Sequence, residues 1–196
     1  MSWFPPQNTA GLIFDCDGTL ADTMPVHYRA WTTVLGKYGI SFTQERFYSL
    51  GGMPTAKIIP ILSLESGVPV IDVPAMTHEK ENMFLTLLHT IQPIKTVYDI
   101  AHSHRGKMPM AVASGGYRRI VEKTLAHIQT DGWFDSVVCA EDTPRHKPEP
   151  DVFLEAARRL GVDPNLCVVF EDTEIGLEAA RSAGAVAVDV RPWYSK

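Results

Sequence analysis

Five short apolar runs, most of them breaking off at a polar or acidic residue, constrain this chain more than any other feature. Ala10-Gly11-Leu12-Ile13-Phe14 stops at Asp15, Met108-Pro109-Met110-Ala111-Val112-Ala113 at Ser114, and Leu166-Cys167-Val168-Val169-Phe170 at Glu171-Asp172. Ser136-Val137-Val138-Cys139-Ala140 precedes Glu141-Asp142, and Ala185 to Val190 is the last run. Strands that are apolar without alternation belong to a sheet covered on both faces. Helical patterns fill the gaps. Asp151–Leu160 follows Pro150, puts Phe153, Ala156, Ala157 and Leu160 on one face and ends at Gly161; Thr173–Arg181 starts at a cap-competent threonine; Tyr117–His127 is a third. This β-α rhythm, from about residue 93 to 190 plus the first strand, predicts an α/β fold with a doubly wound parallel sheet.

Residues 25–91 break the rhythm. They predict helices only, over Val26–Tyr38, Thr43–Ser49, Thr55–Leu64 and Val73–His89, interrupted by the loop Leu50-Gly51-Gly52-Met53-Pro54. The expected organisation is a core of residues 1–24 and 92–196 carrying an inserted helical cap of residues 25–91. A chain of 196 residues with 45% hydrophobic content has the length and apolar mass for that arrangement. Its 18 basic residues against 23 acidic ones, with no run of like charge, offer no footprint for nucleic acid. No apolar stretch approaches the roughly 18–20 residues that span a bilayer. The opening Met1-Ser2-Trp3-Phe4-Pro5-Pro6 lacks a signal peptide's basic and apolar regions. Three cysteines, Cys16, Cys139 and Cys167, have neither metal spacing nor an even count, which argues against a disulfide framework. A soluble cytoplasmic protein, without nucleic-acid or membrane partners, is expected.

The carboxyl ends of parallel strands border the binding crevice of an open α/β sheet. Here those ends bring Asp15-Cys16-Asp17-Gly18-Thr19, Ser114-Gly115-Gly116, the Lys147-Pro148-Glu149-Pro150 loop and Glu171-Asp172. Carboxylates suit a hard cation such as Mg²⁺. Lysine and backbone N–H groups suit a phosphoryl group. Each piece alone has a plainer reading: an Asx turn, a helix cap, a solvated loop charge, or for His27 and Trp31 a packing pair four residues apart. A calcium loop is excluded because its glycine would fall at position four and Val26 at position twelve. The joint order and placement of the four pieces favour metal-assisted phosphoryl transfer.

Asp15-x-Asp17-Gly18-Thr19-Leu20, Ser114, Lys147-Pro-x-Pro and Glu171-Asp172 resemble the four motifs of the haloacid dehalogenase (HAD) superfamily, in order and at strand ends. The helical insert after the first motif is similar to the cap of the β-phosphoglucomutase-like subfamily. Ala10-Gly-Leu-Ile-Phe-Asp, Gly52-Met-Pro54-Thr55, Arg105-Gly-Lys-Met-Pro-Met-Ala-Val and Phe170-Glu-Asp bring the chain nearest to bacterial sugar phosphatases of the fructose-1-phosphate type. The resemblance implies an Mg²⁺-dependent enzyme with Asp15 as nucleophile, forming an aspartyl-phosphate, and Asp17 as general acid and base. It implies metal ligation by Asp15, the Asp17 backbone carbonyl and Asp172, with Glu171 beside them, and phosphate binding by Ser114, Gly115 and Lys147. Thr23, His27 and Gly52 match substrate-facing cap or hinge positions, and Arg118 stands near a position where relatives carry a helpful lysine. Thr55 occupies the place of the mutase's phosphate-gripping arginine, which favours a monomeric hydrolase of a small sugar phosphate over a phosphosugar mutase. A non-catalytic phosphosugar sensor on the same scaffold is the second alternative.

Overall fold

The computed structural model describes residues 3–69 and 72–194; residues 1–2, 70–71 and 195–196 lie outside the described residues. Five strands form one parallel sheet: β1 (Gly11–Phe14), β2 (Met110–Ala113), β3 (Ser136–Val138), β4 (Cys167–Glu171) and β5 (Val186–Asp189), in the order β3-β2-β1-β4-β5. Strand β1 is central, paired to β2 through Leu12↔Met110 and to β4 through Gly11↔Cys167. The chain therefore departs from β1 in both directions, and a crevice opens at the strands' carboxyl ends beside it.

Alternate residues of each strand face opposite layers. Leu12, Phe14, Val112 and Phe170 pack on one side with α5 (Lys95–His104) and α6 (Arg118–His127), through Val97, Ile100, Ile120 and Val121. Ile13, Ala111, Ala113 and Val169 pack on the other with α7 (Asp151–Leu160) and α8 (Glu174–Ser182), through Val152, Phe153, Ala156 and Ala180. Burial on both faces is why these strands read as apolar runs. Gly161, at φ +69°, closes α7 in the left-handed conformation.

The inserted helices are α1 (Met24–Gly36), α2 (Gln44–Ser49), α3 (Thr55–Ser66) and α4 (Val73–Leu87). They share an apolar centre of their own: Trp31, Leu35, Phe42, Phe47, Ile59 and Met76 are buried together. Two antiparallel segments join them to the sheet, with Asp22 N–H donating to Gln92 O at 2.9 Å and Ile94 N–H to Leu20 O at 2.9 Å.

Several elements differ from expectation. Helix α1 starts at Met24 because Pro25 fits the first turn, whose N–H would be unsatisfied anyway. Strand β3 ends at Val138, since the Asp142 carboxylate accepts the Cys139 N–H at 2.7 Å and winds a short 3₁₀ turn. Helix α5 has no counterpart in the sequence reading; His102, Ser103 and His104 in its last turn carry loop-like composition. All three cysteines are free and buried. Among the described residues, no helix is long and apolar enough to cross a membrane.

Candidate active site

The sheet side of the site is built from strand ends. Asp15 follows β1, its N–H still in the ladder to Phe170 O at 3.0 Å. The chain then turns around the Cys16 carbonyl, which accepts the amides of Thr19, Leu20 and Ala21 at 3.3, 3.0 and 3.1 Å. Gly18 has φ +76°, and a Cβ there would run into the Asp172 carboxylate, so the turn requires glycine. The Tyr194 hydroxyl donates to the Gly18 carbonyl.

Lys147, fully enclosed, bridges Asp15 Oδ1 at 2.6 Å and Glu171 Oε1 at 2.7 Å. The other oxygen of Glu171 accepts from the Thr173 N–H at 2.6 Å and hydroxyl at 3.0 Å, so both its oxygens are engaged. Thr173 in turn caps α8 by accepting the Gly176 N–H at 3.1 Å. A Cβ on Gly176 would overlap Glu171. Thr19 donates to Asp172 Oδ1 at 3.3 Å.

Asp15, Glu171 and Asp172 each offer a carboxylate oxygen, all within 4.8 Å of one another. Burial pushes the Asp15 carboxyl up to about 8; Lys147 opposes this, while Glu171 and Asp17 add to it. Burial, then the charges of Glu171 and Asp15, hold Asp172 well above the usual carboxylate range. Three buried carboxylates against one lysine leave an uncompensated anionic cluster of oxygen donors. That is the chemistry a small hard divalent cation such as Mg²⁺ satisfies, so these residues fit that ion.

The helix side is different. Asp17 Oδ1 lies 3.0 Å from His27 Nε2, and His27 Nδ1 lies 3.0 Å from Lys80 Nζ. An ammonium only donates, so Nδ1 accepts, and Nε2 carries the proton that is donated to Asp17. Burial favours the neutral Asp17 carboxyl, but His27, Thr23 and Lys80 outweigh it and lower Asp17 to about 2. The chain continues from Lys80 Nζ to Glu81 Oε1 at 3.2 Å, and the Thr55 hydroxyl donates to that same oxygen. His27 stacks on Phe84, with centroids 4.0 Å apart.

Between the two sides lies an open cleft, lined by Asp15, Asp17, His27, Gly52, Lys80, Ser114 and Gly115 among others. The structure thus brings together nearly all residues singled out from the sequence. Ser114 Oγ accepts the Gly116 N–H at 3.0 Å, and Gly115 approaches the Gly52 carbonyl so closely that a Cβ would collide with it. Thr23 is buried beside Asp17. Arg118 is the exception. Its guanidinium bonds to Asp142 Oδ2 at 2.5 Å, Val137 O at 3.2 Å and Glu122 Oε1 at 3.3 Å, on the flank of the sheet and outside the cleft lining. It is held there by the carboxylate that turns β3 into its 3₁₀ loop, and Tyr117 lines the cleft in its place.

Lys80 and Glu81 were not assigned to the site from the sequence. They lie within the polar stretch 78–82, which shows no catalytic spacing. A signal was nonetheless present: Met76, Lys80 and Phe84 recur every four residues and are all buried, so Lys80 falls on the inward face of α4.

The model of the haloacid dehalogenase-like hydrolases matches residues 12–190. A fructose-1-phosphate phosphatase of Escherichia coli (strain K12) is 45% identical over 183 residues, covering 93% of this chain and 96% of that protein. A phosphorylated carbohydrates phosphatase of Thermotoga maritima is 32% identical over 176 residues, covering 88% and 81%. The crystal structure of a β-phosphoglucomutase from Clostridium difficile superposes with a TM-score of 0.83 at 24% identity, covering 92% of this chain and 83% of that one.

Proposed function

The chain belongs to the haloacid dehalogenase-like hydrolases, and from that membership we propose that it is a magnesium-dependent phosphatase of small sugar monophosphates, fructose 1-phosphate among them, acting through an aspartyl-phosphate on Asp15. One observation carries the reading. A single cleft joins a buried strand-end carboxylate, Asp15, bridged by Lys147 at 2.6 Å, to a second carboxylate two residues on that a helix-borne histidine holds.

The site's own residues divide the work. Asp15 Oδ attacks phosphorus; the phosphorus–oxygen bond to the sugar breaks, and the leaving alkoxide takes a proton from Asp17. An incoming phosphate dianion raises the proton affinity of Asp17, favouring the acid form this step needs. Asp17 then takes a proton from the attacking water, and hydrolysis of the acyl phosphate restores Asp15. Lys147, Ser114 and the Gly115 amide hold the phosphoryl oxygens and stabilise their charge. Asp15, Asp172 and the Asp17 backbone carbonyl would hold Mg²⁺, which would supply the positive charge that offsets the repulsion between carboxylate and phosphoryl group. Glu171, with both oxygens engaged, orients Lys147 instead of binding the metal directly. Residues 25–91 serve as a cap that excludes bulk water over the bound sugar.

The test measures phosphate release from a sugar-phosphate panel with Mg²⁺ and with excess chelator. Mg²⁺-dependent release from a ketose or hexose monophosphate is expected. Chelator-resistant release would remove the metal from the mechanism. Isomerisation of β-glucose 1-phosphate outrunning its hydrolysis would replace the phosphatase with a mutase.

A further inference from the structure

Glu81 stands on α4 in the lining of the cleft, 7% exposed. Its Oε1 accepts from the Thr55 hydroxyl and from Lys80 Nζ. Its Oε2 is buried and accepts no hydrogen bond from any described residue. Buried carboxylate oxygens are rarely left without a donor, because the loss of hydration is not returned. An orphaned acceptor on the wall of a ligand cleft is therefore a place prepared for a donor that the ligand brings.

The surroundings narrow that donor's chemistry. Among the described residues lining the cleft, Lys80 is the sole lysine or arginine, and its ammonium is committed to His27 Nδ1 and Glu81 Oε1. Arg119 reaches across to α4 but bonds to Asn82 Oδ1 at 3.0 Å, outside the lining. No free cation is present on this wall to receive a second phosphate or a carboxylate. A neutral hydroxyl, in contrast, can donate to Oε2.

We propose that Glu81 determines specificity: its Oε2 accepts a hydrogen bond from a sugar hydroxyl remote from the phosphate, and its charge turns away sugars bearing a second anionic group at that end. The proposal rests on the sugar-phosphatase reading and narrows its substrates to neutral polyhydroxy monophosphates. At neutral pH a carboxylate has no proton to offer and a second phosphate is mostly dianionic, and either meets like charge where water is scarce.

The experiment compares kcat/KM of the full-length protein with Mg²⁺ for a ketose monophosphate, the matching bisphosphate, a phosphorylated aldonic acid and a set of singly deoxygenated monophosphates. The native protein should prefer the monophosphate over both sugars with a second anionic end by about a hundredfold, and one deoxy analogue should lose about tenfold or more. Glu81→Gln, which keeps the shape and adds a donor, should reduce the preference over the bisphosphate at least tenfold. Glu81→Asp keeps the charge but shortens the reach, so it should retain rejection of the bisphosphate while raising KM for the monophosphate; it decides the matter if the glutamine variant does not fold. A preference unchanged within twofold in Glu81→Gln, with sugar phosphates still hydrolysed, overturns the role of Glu81 alone. Turnover of p-nitrophenyl phosphate with none of any sugar phosphate overturns the underlying reading as well.

Discussion

The two walls of the cleft are made by different means. On the sheet side, Asp15, Ser114 and Glu171 stand at strand ends locked in a parallel ladder, and Lys147, from the loop before α7, bridges Asp15 and Glu171 at 2.6 and 2.7 Å. On the helix side, His27, Thr55, Lys80 and Glu81 ride on three helices that share a separate apolar centre. Groups that make and break bonds need fixed mutual geometry, which a ladder of backbone hydrogen bonds supplies. Groups that recognise the rest of the substrate need only converge when it is present. On the proposed reading, chemistry falls to one wall and selection to the other.

The most damaging attack on that division is Asp15→Asn. Sugar-phosphate turnover should fall by roughly 10⁴-fold or more, because an amide cannot attack phosphorus. Retained steady-state hydrolysis would move the nucleophile off the sheet wall.

Next comes the joint between the walls. Gly115→Ala drives a Cβ into the Gly52 carbonyl, a backbone atom that cannot rotate aside. The walls should be held apart, lowering kcat/KM by about a hundredfold. Urea denaturation should move little, since the alanine adds strain only to the closed contact. Wild-type kcat/KM would show that the walls need not meet.

Lys80→Met should act more mildly, because Lys80 works through His27 on the orientation of Asp17. A loss of about tenfold to a hundredfold in kcat is expected, with a smaller loss on p-nitrophenyl phosphate, whose leaving group needs little acid help. Equal losses on both substrates would show that Lys80 supports the fold and not the proton transfer.

The smallest effects compare surface charges. Asp142 accepts from the Cys139 N–H and pairs with Arg118 and Arg159; burial works against its charge, but these partners win and hold its carboxyl below the usual range. Glu79, in the helical segment, is lowered by Lys37 against a smaller burial effect. Asp142→Asn should cost about 1–2 kcal/mol at pH 7 and Glu79→Gln no more than about 0.5 kcal/mol. A carboxyl lowered in the folded state stabilises above its unfolded pKa of about 4, so the Asp142→Asn penalty should shrink as pH falls through 4 toward the folded value. Urea titrations at pH 7 and pH 3 check both statements.

The same division explains what was legible in the sequence. Strand ends announce themselves: an apolar run stopping at Asp15 or Glu171 locates the residue in the fold, because a parallel sheet has one catalytic edge. Both faces of β1, β2 and β4 are buried, so their runs could not be mistaken for amphipathic strands. Helix α5 was lost because two histidines and a serine in its last turn dilute the pattern of Val97, Ile100 and Ala101. Arg118 was assigned because it stands beside the position where relatives carry a lysine, but Tyr117 is the extended cap of α6 and Arg118 its first helical residue, so the two side chains leave the backbone in different directions. It points to Asp142, and Tyr117 faces the cleft. Glu81 could not be found from spacing at all, since its role depends on which face of α4 packs toward a neighbouring helix.

The two segments joining the walls have a mechanical consequence. Asp22 to Gln92 and Ile94 to Leu20 bind a pair of antiparallel rails, which can flex together but cannot twist without shearing both bonds. A nod of the helical body that bends both segments together would break neither bond, whereas a swivel would shear both. Such a joint would return Glu81, Lys80 and His27 to one registration above Asp15, which the proposed selection by Glu81 requires.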